Sequence, residues 1–175
     1  MTIQQLNDNG LKQSGFMFTI ERYPDIAFPV QSVTVPSISM GTALQQSRQA
    51  VIKYPGEKVN YPSLECSFMI DKSLTNYMAL FNWLRQNASP EMPTDFATLQ
   101  ALSSVTNPND YDGGKFSELT LIILNNLNNP VVSFNFHDAF PISIGSFELS
   151  TTIDGTEYIH CTCTFDYTYY TVNSC

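Results

Sequence analysis

The chain has 175 residues, of which 14% are charged and 13% aromatic, with ten prolines and eight glycines; that size suits one domain with its own core, and that composition points to many strands and few helices. Its net charge of −8 is uneven, with +1 over residues 1–89 and −9 over residues 90–175. Lys115 is the only cation among the ten carboxylates of the second half, which argues against gripping a phosphate backbone or an anionic membrane while leaving repulsion of DNA open, and no apolar run approaches the ~20 residues that cross a bilayer.

Residues 1–14 are polar and read as an arm that orders against a partner. They lack the basic head and apolar run of a signal peptide, so the expectation is folding in a reducing cytosol. A first strand is expected from Phe16 to Arg22, with Phe16, Phe18 and Ile20 on one face, and a second from Phe28 to Val35, closed by Pro36. Gly41 to Pro62 reads as a hairpin turning at Pro55 and Gly56. It carries Arg48, Lys53, Tyr54 and Lys58 with little core, and is either a solvated loop or a contact surface for another subunit. In the next strand Leu64, Cys66, Phe68 and Ile70 alternate with Glu65 and Ser67.

A helix should follow a cap at Asp71 or Ser73, bury Leu74, Tyr77, Met78, Phe81 and Leu84 as one stripe with Trp83 at its flank, and stop at Ser89 and Pro90. Residues 90–117, rich in Pro, Asn, Asp and Gly, form a long excursion with a short helix at 95–103. Strands resume at Glu118–Leu124, Val131–Phe136 and Phe147–Ile153, with Ala139, Phe140 and Pro141 leading into the last. Asp154 and Gly155 signal a hairpin into the longest alternation, Thr156–Val172. There Ile159, Cys161, Cys163, Phe165, Tyr167 and Tyr169 share one face, and His160, Thr162, Thr164, Asp166 and Thr168 the other. A strand so long and so two-faced should divide a packed core from a polar surround.

Catalytic and metal chemistry find no support. Asp110, Asp112 and Gly113 fail as a calcium loop, because its first ligand position would be Pro108 and its closing one Leu119. His137, His160, Cys161 and Cys163 do not converge as zinc requires, since His160 lies on the face opposite the two cysteines, which read as small core residues. Neither a Gly-x-Ser-x-Gly turn nor a glycine-rich phosphate loop is present, and the expectation is a non-enzyme without cofactors or metals.

The order of elements is the strongest signal. Phe16 to Ile20 opens it, and Val33 to Ser39, a basic hairpin and Leu64 to Ile70 follow. Asp71 then precedes the Trp83-bearing helix, and strands end at Phe165, Asp166 and Tyr167. This resembles the tail tube protein family of contractile-tailed bacteriophages and, more distantly, the inner-tube protein of type VI secretion, over about residues 15–172. The resemblance implies an antiparallel β-sandwich or partial barrel with one flanking helix, in one domain behind the arm. It implies stacked hexameric rings whose sheets join into a barrel around a channel for genome ejection. The partners implied are sheath, tape measure, baseplate and tail terminator proteins, in the virion tail after synthesis in the host cytoplasm, with DNA passing unbound and no membrane anchor. Glu65, Glu148, Thr162, Thr164 and Asp166 are the candidate lumen lining, and Arg48, Lys53, Tyr54 and Lys58 the candidate ring-to-ring contact. The arm and the excursion depart from a minimal tube subunit and keep open a single-ring initiator, baseplate or tail-completion protein. A monomeric carbohydrate- or protein-binding β-sandwich, using Tyr167, Tyr169 and Tyr170 as an exposed patch, is the alternative from another class.

Overall fold

The computed structural model describes residues 15–26, 28–46, 49–88, 115–150 and 158–175. In chain order these form β1 Phe16–Ile20, β2 Val30–Thr34, β3 Ser39–Gln46, β4 Val51–Asn60, β5 Leu64–Met69, α1 Thr75–Ala88, β6 Ser117–Leu124, β7 Pro130–Ile144, β8 His160–Asp166 and β9 Tyr169–Ser174. The chain is mainly β, and every strand pair is antiparallel. One bent sheet folds into two facing layers, an outer one of β1, β6, β7 and β9 and a wall of β7, β8, β5 and β2. It does not close into a barrel within the chain.

The strand that serves both layers is β7, which spans 15 residues. Against β6, one extra residue of β7 is accommodated between Phe136 and Ala139, and Asp138 adopts a φ of 55°. Such a bulge bends a strand, and Asp is one of the few residues that tolerates the left-handed region. Ala139, Phe140 and Pro141, read from sequence as a link, therefore belong to β7 itself.

Opposite that bend the long C-terminal alternation is interrupted at Tyr167 and Thr168, giving β8 and β9 instead of one strand. Register along β7 continues across the gap, from Phe140 opposite Asp166 to His137 opposite Tyr169, and the Thr168 amide donates to the His137 carbonyl at 3.0 Å. The alternation changes phase at the break. Tyr170 turns towards Phe136 while Tyr169 turns out, stacked on His137 at 4.6 Å. Phe147 to Ser150, expected to open a strand, adopt no strand conformation; residues 151–157, with the rest of that stretch and the expected Asp154–Gly155 turn, lie outside the described residues.

Phe18, Ile20, Leu119, Leu121 and Phe136 from the outer layer meet Leu64, Cys66, Phe68, Cys161, Cys163 and Phe165 from the wall in one core. Helix α1 closes it with Leu80 and Trp83, whose indole lies 6.1 Å from Phe165 and donates to the Lys115 carbonyl at 2.9 Å. Its buried face is Asn76, Ala79, Leu80 and Trp83, and not the expected stripe; Leu74, Met78 and Phe81 are exposed. Both faces have helical spacing, and two side chains decide between them. Trp83 has the largest surface to bury. Asn76 has polar atoms with partners only on the inner side: its Nδ2 donates to the Met69 carbonyl, and its Oδ1 accepts from the Asp71 and Tyr77 amides.

The hairpin also differs from expectation. Its turn lies between β3 and β4, and Pro55 and Gly56 sit inside β4 at a register shift. There the two backbones approach so closely that a Cβ on Gly56 would collide with the Gly41 carbonyl oxygen. Both strands of a two-stranded ribbon are edges, so the missing Pro55 amide breaks no internal ladder. The arm at 1–14, the excursion up to residue 114 with the short helix expected there, and Arg48 lie outside the described residues.

Candidate functional site

The wall presents two unlike faces because its strands alternate in phase. Inward, Val33, Cys66, Cys163 and Ile144 form one row across β2, β5, β8 and β7. Outward, Thr34, Glu65, Thr164 and Ser143 form the next row, and Ser32, Ser67 and Thr162 the one beyond. Ser32, Thr34, Glu65, Ser67, Thr162 and Thr164 line a shallow trough of about 230 Å³. Every member of these two rows is short and polar except Glu65, and β2, β5, β8 and the Phe140–Ile144 stretch of β7 contain no Lys or Arg. These two rows are thus polar and without Lys or Arg.

Among the residues singled out from sequence, the register brings Glu65 beside Thr164, with Thr162 two residues further along β8. Asp166 ends the strand half-buried, its Oδ1 accepting a 2.7 Å hydrogen bond from Ser63. Glu148 is exposed on the stretch after β7 and belongs to neither row. The rows add Ser32, Thr34 and Ser143, which single-strand alternation could not join to Glu65 because the neighbours come from cross-strand register. Gly145 lies against Thr162: its amide donates to the Thr162 carbonyl at 2.7 Å, and a Cβ there would collide with the Thr162 hydroxyl.

Behind this face the thiols are inert. Burial pushes the Cys66 thiol up to about 12 and raises Cys161 and Cys163 as well. A thiol so hard to ionise is a poor nucleophile and a poor metal ligand. Among the described residues, no group of three or more His, Cys, Asp and Glu is placed to hold a metal ion, and no helix is long and apolar enough to cross a membrane.

The β3–β4 hairpin forms a sheet of its own, and every residue of it except Gly56 is exposed. Lys53, Tyr54 and Lys58 all lie on β4; Lys53 faces Leu44 across the ladder and Tyr54 faces Ala43, so the two neighbours point to opposite sides. An isolated two-stranded hairpin is marginal in water. The tyrosines of the alternative reading do not make an open patch. Tyr167 and Tyr170 pack with Tyr61 and Phe136, and the Tyr167 hydroxyl, which burial raises to about 12, donates to the Pro62 carbonyl at 2.8 Å.

Solved structures with this architecture come from contractile injection systems. A chain of the sheath/tube terminator of an extracellular contractile injection system in its extended state superposes with a TM-score of 0.64 at 14% identity, covering 94% of this chain and 96% of that one. A chain of the sheath-tube complex of such a system gives 0.62 at 15% identity, covering 100% and 99%. In sequence, the tail tube terminator protein of Enterobacteria phage T4 is 25% identical over 150 residues, spanning 85% of this chain and 72% of that protein. The family model for phage tail tube proteins matches residues 2–173, and the chain belongs to that family.

Proposed function

We propose that this protein is a structural subunit of the phage tail tube, assembling as stacked hexameric rings in which the β7–β8–β5–β2 wall faces the channel through which the genome is ejected. The observation that carries this reading is the cation-free outward face, with Glu65, Thr162 and Thr164 at its centre and Asp166 at its end. Such a lining hydrates well and repels a phosphate backbone, so DNA slides past without binding. Among the described residues, the wall has unpaired edges at β2 and at the Phe140–Ile144 stretch of β7. Pairing between copies at these edges satisfies backbone groups that a monomer leaves to water and closes six walls into one barrel. Glu148 follows β7 and adds negative charge at the channel's end. The β3–β4 hairpin reaches the adjacent ring through Lys53, Tyr54 and Lys58, with Arg48 in the same segment. The assembly serves in the virion tail after synthesis in the host cytoplasm, with sheath, tape measure, baseplate and terminator proteins as partners and no membrane anchor.

A second reading, a single ring ending the tube, is favoured by the likeness to the phage T4 terminator. Electron microscopy of the purified protein at rising concentration separates the two: open-ended stacks support the repeating tube subunit, and single rings that do not stack support the terminator. Compact monomers at every concentration, together with tails that lack this protein's density, refute both.

A further inference from the structure

The β3–β4 hairpin is exposed along its length, so its direction is set where it joins the body. One joint follows β2, where Pro36 is buried; the other is Tyr61, Pro62 and Ser63, between β4 and β5. The second joint is gripped by the corner between β8 and β9. Ser63 Oγ donates to Asp166 Oδ1 at 2.7 Å, and the Tyr167 hydroxyl donates to the Pro62 carbonyl at 2.8 Å. The Tyr61 ring packs edge-on against Tyr167 at 6.2 Å and Tyr170 at 5.5 Å. Those two rings rest in turn on Phe136, which is wholly buried.

This grip depends on the break in the C-terminal alternation. In an unbroken strand, residues three apart point to opposite faces, so Tyr167 and Tyr170 would not both reach Tyr61. The interruption at Tyr167 and Thr168, opposite the bend at Asp138, brings Tyr170 to the side of Tyr167, and their rings meet at 6.1 Å. Aromatic pairs at such separations have preferred mutual angles, and hydrogen bonds at two consecutive residues, Pro62 and Ser63, restrict the joint further. The clasp thereby ties the hairpin to β8, the strand that carries Thr162 and Thr164 on the wall. A contact element already held in its bound direction loses less freedom when it binds.

We infer that the clasp of Tyr61, Pro62 and Ser63 with Asp166, Tyr167 and Tyr170 holds the hairpin in the direction that lets rings stack, making these positioning residues for ring-to-ring contact and not for ring closure. The inference rests on the tube reading. It is tested on the full-length chain carrying Tyr167→Phe and Ser63→Ala together, which removes both hydrogen bonds and keeps the three rings, with circular dichroism to check the fold. Rings should form at the wild-type concentration, whereas stacking should need about five-fold more protein for each hydrogen bond lost, the factor that one bond of ordinary net strength carries. Stacking at the wild-type concentration overturns the inference, as does an equal loss of rings and stacks. Hairpin direction is read separately from spin labels at the exposed positions Ile52→Cys and Leu127→Cys, in chains with Cys175 replaced by Ser and diluted into unlabelled protein. The distance between labels should be narrowly distributed with the clasp intact and broad in the double variant. Equal widths overturn the clasp and leave the tube reading standing. A wild-type protein that never forms rings overturns the tube reading and the stacking role with it, whatever the label widths.

Discussion

Asn76 should be among the most sensitive positions in the chain. Its side chain is wholly buried and joins the start of α1 to the end of β5 through three contacts: Met69 O at 2.8 Å, Tyr77 N at 2.8 Å and Asp71 N at 3.2 Å. In Asn76→Ala, the Met69 carbonyl and the Asp71 amide lose this partner while a small void opens beside them. A stranded buried donor or acceptor costs about 1–3 kcal/mol, so the loss should be about 3–5 kcal/mol, a large share of the roughly 5–15 kcal/mol that holds a domain folded. At about 2–4 °C per kcal/mol for a chain of this size, the midpoint should fall by ~10 °C or more. Urea unfolding followed by circular dichroism, with the slope compared to wild type, measures it directly. Asn76→Asp is the control: it keeps an acceptor for the two amides but sets a second acceptor against the Met69 carbonyl and buries charge, so it should not rescue. A loss below about 1 kcal/mol in Asn76→Ala at unchanged slope refutes the claim that this network decides the helix's orientation.

Gly145→Ala should destabilise by about 1–3 kcal/mol through forced repacking at the rim of the wall, and Thr162→Ala in the same chain should restore part of it, since the Thr162 hydroxyl is the atom in the way; a double-mutant cycle showing no coupling speaks against that contact. Glu118, whose carboxylate lies 2.7 Å from His137 Nδ1, has its pKa raised chiefly by burial; His137 and the hydrogen bond from the Asp138 amide oppose the rise, and the Asp138 and Glu21 carboxylates add to it. The sign follows: a carboxyl raised in the folded state favours unfolding once ionised, so its contribution improves as pH falls through the raised value. Glu118→Gln should therefore flatten the stability profile on the acid side of neutrality, and urea midpoints measured from pH 7 to pH 4 check this. Thiol titration of the native protein should find Cys175 reacting at once, with Cys66, Cys161 and Cys163 reacting only on unfolding. Phage carrying Thr162→Lys with Thr164→Lys should assemble tails yet eject DNA slowly, read by dye uptake at released genomes; ejection at the wild-type rate counts against a lumen-facing wall.

The sequence by itself determined where β1, β2, β5 and β6 lie and the two-faced character of the wall, because side-chain alternation is a local property of the chain. Glu65 and Ser67 against Cys66 and Phe68, and Thr162 and Thr164 against Cys161 and Cys163, were legible from period two alone. The order of elements also carried the family likeness. What only the tertiary structure decided were choices among locally equivalent options. The apolar positions of α1 allowed either face to turn inward, and Trp83 and Asn76 settled it through partners on Lys115, Met69 and Asp71. The long C-terminal alternation ran on past Phe165, but a bend at Asp138 in a distant strand broke it opposite and reversed the phase at Tyr169 and Tyr170. Pro55 and Gly56 carry turn chemistry, yet the close approach of Gly41 made them a bulge within a strand. Ser32, Thr34, Glu65, Ser67, Ser143, Thr162 and Thr164 became one surface only through cross-strand register, which no single segment encodes.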